Sequence, residues 1–134
     1  MGNTGKTFYQ QALERISRRD SHRKYLYIQI RQSKAFMDQY YGEKIELDKI
    51  AASAFMSRFH FIRMFQQVYG VTPRHYLRDV RLSRARKLLM EGAPVTGVCL
   101  DVGYESMPTF SLAFKRGTGY SPKEFQILNN SNRE

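Results

Sequence analysis

The stretch from Ser57 to Tyr76, SRFHFIRMFQQVYGVTPRHY, is written a second time from Ser106 to Phe125 as SMPTFSLAFKRGTGYSPKEF. Ser57, Phe61, Phe65, Gly70, Pro73 and Tyr76 return as Ser106, Phe110, Phe114, Gly119, Pro122 and Phe125, each 49 residues later. The recurring residues are those that cap, stop and bury helices; most of the residues between them change. A chain of 134 residues has room for two small lobes of this kind sharing a core. The fold must therefore hold one helical device twice while presenting two different surfaces.

The spacing of apolar residues predicts helices almost throughout. Phe8, Ala12 and Ile16 predict a helix over 8–19, and the polar run SRRDSHRK (17–24) reads as a linker, so that residues 1–24 form a basic N-terminal tail. A helix over 25–41 carries Ile30, Ala35, Phe36, Met37, Tyr40 and Tyr41, with the aromatics read as core, and Gly42 ends it. Leu47, Ile50 and Ala51 mark a short helix, and Ser57 caps the next, which buries Phe61, Phe65 and Val68 and stops at Gly70. Thr72-Pro73 opens a long helix that runs to Gly92; proline suits a first turn because its missing N–H would be unpaired there anyway. The second half repeats the order, with Val95, Val98 and Cys99, then 106–117, then a helix from Ser121-Pro122. Here the short helix keeps an offset of 48, which puts one extra residue in the second turn. The expected division is lobe 1 over 25–71, a linking helix over 72–91, lobe 2 over 93–128 and a C-terminal tail over 129–134.

Charge limits the partner. The formal net charge is +10, which favours a polyanion, nucleic acid before an anionic membrane surface. Residues 1–34 and 57–91 each sum to +6, residues 35–56 to −2 and residues 92–134 to zero. One cysteine excludes an internal disulfide. No Cys/His cluster has metal-ligand spacing, and no Ser/His/Asp or paired-carboxylate arrangement stands out, so no metal, cofactor or catalytic site is expected. Cys99 is read as a buried hydrophobe. No apolar run is long enough to span a membrane and no signal-peptide pattern is present, which places the chain in the cytoplasm.

Short helix, tight turn and longer helix, twice, is helix-turn-helix architecture, whose second helix fits the DNA major groove. Opposite the core stripe of the first copy lie Phe59, Ile62, Arg63 and Gln66, again at helical spacing. Apolar Phe59 and Ile62 suit thymine methyls, Arg63 suits guanine and Gln66 adenine; the bland alternative packs Phe59 and Ile62 on the N-terminal segment. The outward residues of the second copy, Met107, Pro108, Thr109, Ser111, Leu112 and Lys115, are poor in base-reading groups and point to methyl, sugar and phosphate contacts. Phosphate contacts are expected from Arg58, Thr72, Arg74, His75, Lys115, Arg116, Ser121 and Lys123, with the helix starts at Thr72 and Ser121 favouring anions. A rival reading is a protein adaptor using the exposed apolar faces of the two helices.

With its RLSRARKLL between the copies and its VGYESMPTFSLAFKRGTGYSP in the second, the chain resembles the AraC/XylS family of bacterial transcription regulators over about residues 30–127. Gly103, Tyr104, Phe110, Phe114, Lys115, Gly119 and Pro122 match the family signature, and Arg81, Ala85, Leu88 and Leu89 match the linking helix. The resemblance implies an all-α, seven-helix domain: two homeodomain-like helix-turn-helix lobes joined by one long helix. It implies sequence-specific reading of double-stranded promoter DNA, in two adjacent major-groove segments, and often contact with RNA polymerase. Some relatives fuse this domain to DNA-repair chemistry, but no reactive cysteine motif is present here, so the expectation is a regulator without enzymatic activity, with activation and repression both open. Carried over by position, base contacts fall on Phe59, Ile62, Arg63, Met107, Pro108, Thr109 and Leu112. No effector-sensing segment with a small-molecule site is evident. Two departures stand out: Phe55 takes a turn position where the family commonly has glycine, and Leu112 one where a polar reader is common.

Overall fold

The computed structural model describes residue 5 and residues 7–131. Among these there are seven helices and no strand: α1 (Phe8–Tyr40), α2 (Leu47–Ser53), α3 (Arg58–Tyr69), α4 (Pro73–Met90), α5 (Val95–Asp101), α6 (Met107–Thr118) and α7 (Pro122–Ser131).

The repeat is visible at the level of single hydrogen bonds. Ser57 and Ser106 are the N-caps of α3 and α6, accepting from the amides of His60 (3.1 Å) and Thr109 (3.4 Å). Each helix has 12 residues and ends on a left-handed glycine, Gly70 at φ 78° and Gly119 at φ 87°, a conformation that costs a residue without Cβ nothing. In the preceding turns, Phe55 N donates to Ala52 O and Met56 N to Ala51 O, and the same two bonds recur from Gly103 to Leu100 and from Tyr104 to Cys99. Phe55 is thus the counterpart of Gly103 at an offset of 48, and the extra residue of the second turn follows it. Phe55 has φ 57°, the single positive value at a non-glycine among the described residues.

Two cores result. Leu26, Ile30, Met37, Ala51, Phe61 and Phe65 pack with Leu77 in the first, and Leu82, Ala85 and Leu89 pack with Val98, Cys99, Phe110 and Phe114 in the second. Each buried phenylalanine contributes about 1.5–3 kcal/mol relative to exposure. The 18-residue α4, about 27 Å long, therefore closes lobe 1 with its first half and opens lobe 2 with its second. α7 seals its far end: Gln126 Nε2 donates to Leu89 O (3.2 Å) and Ala93 O (2.7 Å).

Three expectations are corrected. Residues 17–24 are no linker; they lie inside the unbroken 33-residue α1, whose first buried residue is Leu26. Phe8, Tyr9, Leu13 and Ile16 are exposed on its free half. A capping box closes the start, with Thr7 Oγ1 accepting from Gln10 N and Gln10 Oε1 accepting from Thr7 N. Phe36 and Tyr40 are not core: both are exposed and rest on each other, ring centroids 4.9 Å apart, because the buried stripe of α1 falls on Ile30, Ser33 and Met37. α7 continues to Ser131, three residues into the segment read as a tail; residues 132–134, like residues 1–4 and 6, lie outside the described residues.

Candidate nucleic-acid interface

On α3, burial of Phe61, Met64 and Phe65 turns the opposite face outward. Arg63 and Gln66 are exposed there, and Phe59 is 75% exposed. Phe59 thus does not pack on the N-terminal segment, and Ile62 is half-buried at the edge of a groove. On α6, burial of Phe110 and Phe114 leaves Pro108, Thr109 and Leu112 exposed. Met107 differs from its expected outward position: it is half-buried and packs on the second core.

Of these residues Ile62 and Thr109 line one groove of about 770 Å³ between α3 and α6, whereas Phe59, Arg63, Gln66, Pro108 and Leu112 lie outside its lining. Arg58 and Ile62 of α3 line one wall, Thr109 and Ala113 of α6 the other, and Arg74, Arg78 and Arg81 of α4 lie between them. Sequence reading missed Arg78 and Arg81 as groove residues. The available signal was their spacing, since 74, 78 and 81 follow one helical face. Two carboxylates, Glu46 and Asp48, line the groove as well, and Asp48 ion-pairs with Arg58 at 3.5 Å. Beside it, Asp79 Oδ2 lies 3.2 Å from His75 Nε2, and Arg78 Nη2 lies against the same ring, 3.0 Å from Nδ1 and 3.2 Å from Nε2.

The helix starts can be audited amide by amide. In α4, Pro73 has no N–H, His75 N donates to Thr72 Oγ1 and Tyr76 N to Thr72 O. Arg74 lies between them in the first turn, with its side chain exposed. In α7, Glu124 N donates to Ser121 Oγ and Phe125 N to Ser121 O, leaving Lys123 in the same position. The Thr72 and Ser121 hydroxyls are thus occupied as caps. The two starts differ in charge, because Glu124 returns a carboxylate oxygen to Ser121 N at 3.2 Å whereas α4 has no acid in its first turn. Lys115 and Arg116 are exposed in the last turn of α6.

Elsewhere the titratable residues are structural. Cys99 is buried, its thiol pushed up by burial, and its Sγ donates to Tyr104 O at 3.7 Å. Tyr76 donates its hydroxyl to Asp38, which also binds Lys34 Nζ at 3.0 Å; the Asp38 carboxylate first, and the Tyr76 hydroxyl after it, hold the Lys34 ammonium above its usual pKa. Among the described residues no group of three or more His, Cys, Asp or Glu could hold a metal ion, and no helix is long and apolar enough to cross a membrane.

The family described as Helix-turn-helix domain matches residues 50–127, from the middle of α2 through α3, α4, α5 and α6 into α7. The chain belongs to the AraC-type helix-turn-helix family. Over 94 residues it is 32% identical to "Probable transcriptional regulator LumQ" of Photobacterium leiognathi, covering 69% of this chain and 38% of that protein. Over 94 residues it is 30% identical to "Bifunctional transcriptional activator/DNA repair enzyme AdaA" of Bacillus subtilis, covering 69% and 44%. The chain thus spans less than half the length of these relatives. Among solved structures, the DNA-binding domain of AdpA, described as a global transcriptional factor in complex with a target DNA, superposes with a TM-score of 0.72 at 27% identity, over 78% of this chain and 95% of that one. This AraC-type assignment accounts for the seven helices and does not favour the adaptor reading.

Proposed function

We propose that this chain is the DNA-binding unit of a transcription regulator and that α3 and α6 enter adjacent major-groove segments of double-stranded promoter DNA. The observation that carries the reading is the shared groove: Ile62 of α3 and Thr109 of α6 line opposite walls of one cleft, with Arg74, Arg78 and Arg81 of α4 between them. A duplex lying across it meets α3 and α6 with its major grooves and Arg74 and Arg78 of α4 with its backbone. Arg63 and Gln66 are the base readers of lobe 1, with Phe59 and Ile62 against thymine methyls; Pro108, Thr109 and Leu112 provide a looser second contact. Arg74 and Lys123 grip phosphates at the helix starts, supported by Arg58, Lys115 and Arg116. Activation through contact with RNA polymerase, in the cytoplasm and without a catalytic step, completes the proposal.

Selection of bound duplexes from a random pool, followed by titration of the selected site at several salt concentrations, tests it. The expected result is an enriched two-part sequence and an affinity that falls linearly with log salt. An unenriched pool overturns the proposal. Retention of RNA polymerase on promoter DNA with and without the chain tests the polymerase contact separately.

A further inference from the structure

One arginine joins the two lobes where they meet. Arg81, in the middle of α4, is half-buried. Its Nε donates to Tyr41 O at 2.8 Å and its Nη2 to Glu43 O at 3.0 Å. Tyr41 is the C-cap of α1, where unpaired carbonyls and the negative end of the helix dipole favour a cation. The guanidinium carbon also lies 5.8 Å from the centre of the Tyr104 ring, in the turn that leads to α6. Arg81 therefore holds the end of lobe 1's first helix and the turn before lobe 2's second helix at once.

The backbones themselves touch at the same place. A Cβ on Gly42 would stand 2.7 Å from Asp101 O, and a Cβ on Gly103 would stand 2.7 Å from Tyr41 O and 3.0 Å from Arg81 Nε. Among the described residues, Tyr41 alone packs against both hydrophobic cores. α4 alone fixes the distance between lobes but leaves their swing about its axis to side-chain packing; this junction fixes the swing. Burial holds the Arg81 guanidinium below its usual pKa, which marks it as a structural cation more than a solvent-facing one.

We infer that Arg81 is a positioning residue that sets the orientation of α6 relative to α3 and thereby the spacing of the two DNA subsites the chain prefers. The inference rests on the proposed DNA-binding function. One readout is independent of it. Nitroxide labels at Gln67→Cys and Arg116→Cys, on a Cys99→Ala background, report the α3–α6 distance in the free protein. The expected result is one narrow distance with Arg81 and a broadened distribution with Arg81→Met.

The second readout uses the selected duplex with base pairs added or removed between its subsites. One inserted base pair displaces a subsite by about 3.4 Å and turns it by about 35°. With Arg81 this should weaken binding at least about tenfold, and with Arg81→Met less than about threefold, base preference within each subsite being unchanged. Arg81→Lys keeps the charge but loses the two-pronged fork and should behave like Arg81→Met. If lysine restores the wild-type spacing profile, Arg81 acts as a simple charge and the inference fails. It also fails if folded Arg81→Met keeps both the narrow distance and the steep penalty. Should Arg81→Met not fold, Tyr104→Leu, which removes the ring beside the guanidinium, takes its place, and an unchanged distance and profile there overturn the inference. A wild-type chain that binds no specific DNA defeats the function proposal alone, since the label distances still test the junction.

Discussion

Replacing Phe55 with glycine should make this protein more stable. Phe55 sits in the α2–α3 turn at φ 57° with 90% of its surface exposed. Its counterpart Gly103 occupies the same turn position in lobe 2. A left-handed conformation costs an L-residue about 1–2 kcal/mol, and almost no burial is lost with the ring. Glycine's wider freedom in the unfolded chain takes back about 0.4–1 kcal/mol. The Phe55 N–H to Ala52 O bond of 3.0 Å is a main-chain bond that glycine keeps. The net expectation for Phe55→Gly is about 0.5–1 kcal/mol of added stability, a rise in Tm of about 2–5 °C for a chain of this size. Urea unfolding followed by circular dichroism measures it, with Phe55→Ala as the control. Alanine removes the same exposed ring but keeps the strained backbone, so it should change stability by less than about 0.5 kcal/mol. An alanine variant stabilised as much as the glycine variant, or a destabilised glycine variant, would refute the strain argument.

Three further outcomes are expected. Arg63→Ala should relax the preference at one or two adjacent base pairs, a loss of about 1–3 kcal/mol of discrimination, read by repeating the duplex selection; an unchanged consensus removes Arg63 from the readers. Arg74→Ala and Lys123→Ala should each weaken binding to all duplexes alike and lower the salt slope by about one unit per lost contact. The larger loss is expected at Arg74, where no acid shares the helix start; equal losses would show that Glu124 does not matter. Leu112→Arg should melt at the wild-type temperature, because Leu112 is 54% exposed, and should tighten DNA binding by adding a charge at the interface; a folded variant with unchanged or weaker affinity would show that α6 does not face the duplex there.

The lobes were legible because each repeats a full set of local signals: a serine cap, phenylalanines four apart, a glycine stop and a proline start. Those signals act within a single turn of helix and survive without knowledge of the rest of the chain. The continuity of α1 was hidden because residues 17–24 bury nothing, and apolar periodicity reveals only helices that bury a face. The absence of glycine and proline from Thr7 to Tyr41 was the signal to follow. Arg81 read as one of eight basic residues in its segment, and only the structure shows that its partners are main-chain carbonyls 38 and 40 residues away. Met107 was misplaced because proline at the next position and a serine cap fix where α6 starts but not how its first residue leans on the core.

The unsupported half of α1 gives lobe 1 a handle with a defined phase. From Thr7 to Tyr25 no residue is buried, yet the helix is continuous with the part anchored by Leu26, Ile30 and Met37. A segment of that length alone would be marginal in water, so its order is propagated from the docked turns. Whatever is fixed to its far end inherits an azimuth around lobe 1. Adding one residue within 17–24 would turn that azimuth by about 100° and advance it about 1.5 Å, whereas adding seven would nearly restore it. A torque applied at Thr7 would reach the Arg81 junction through Tyr41, the residue on which α1 ends.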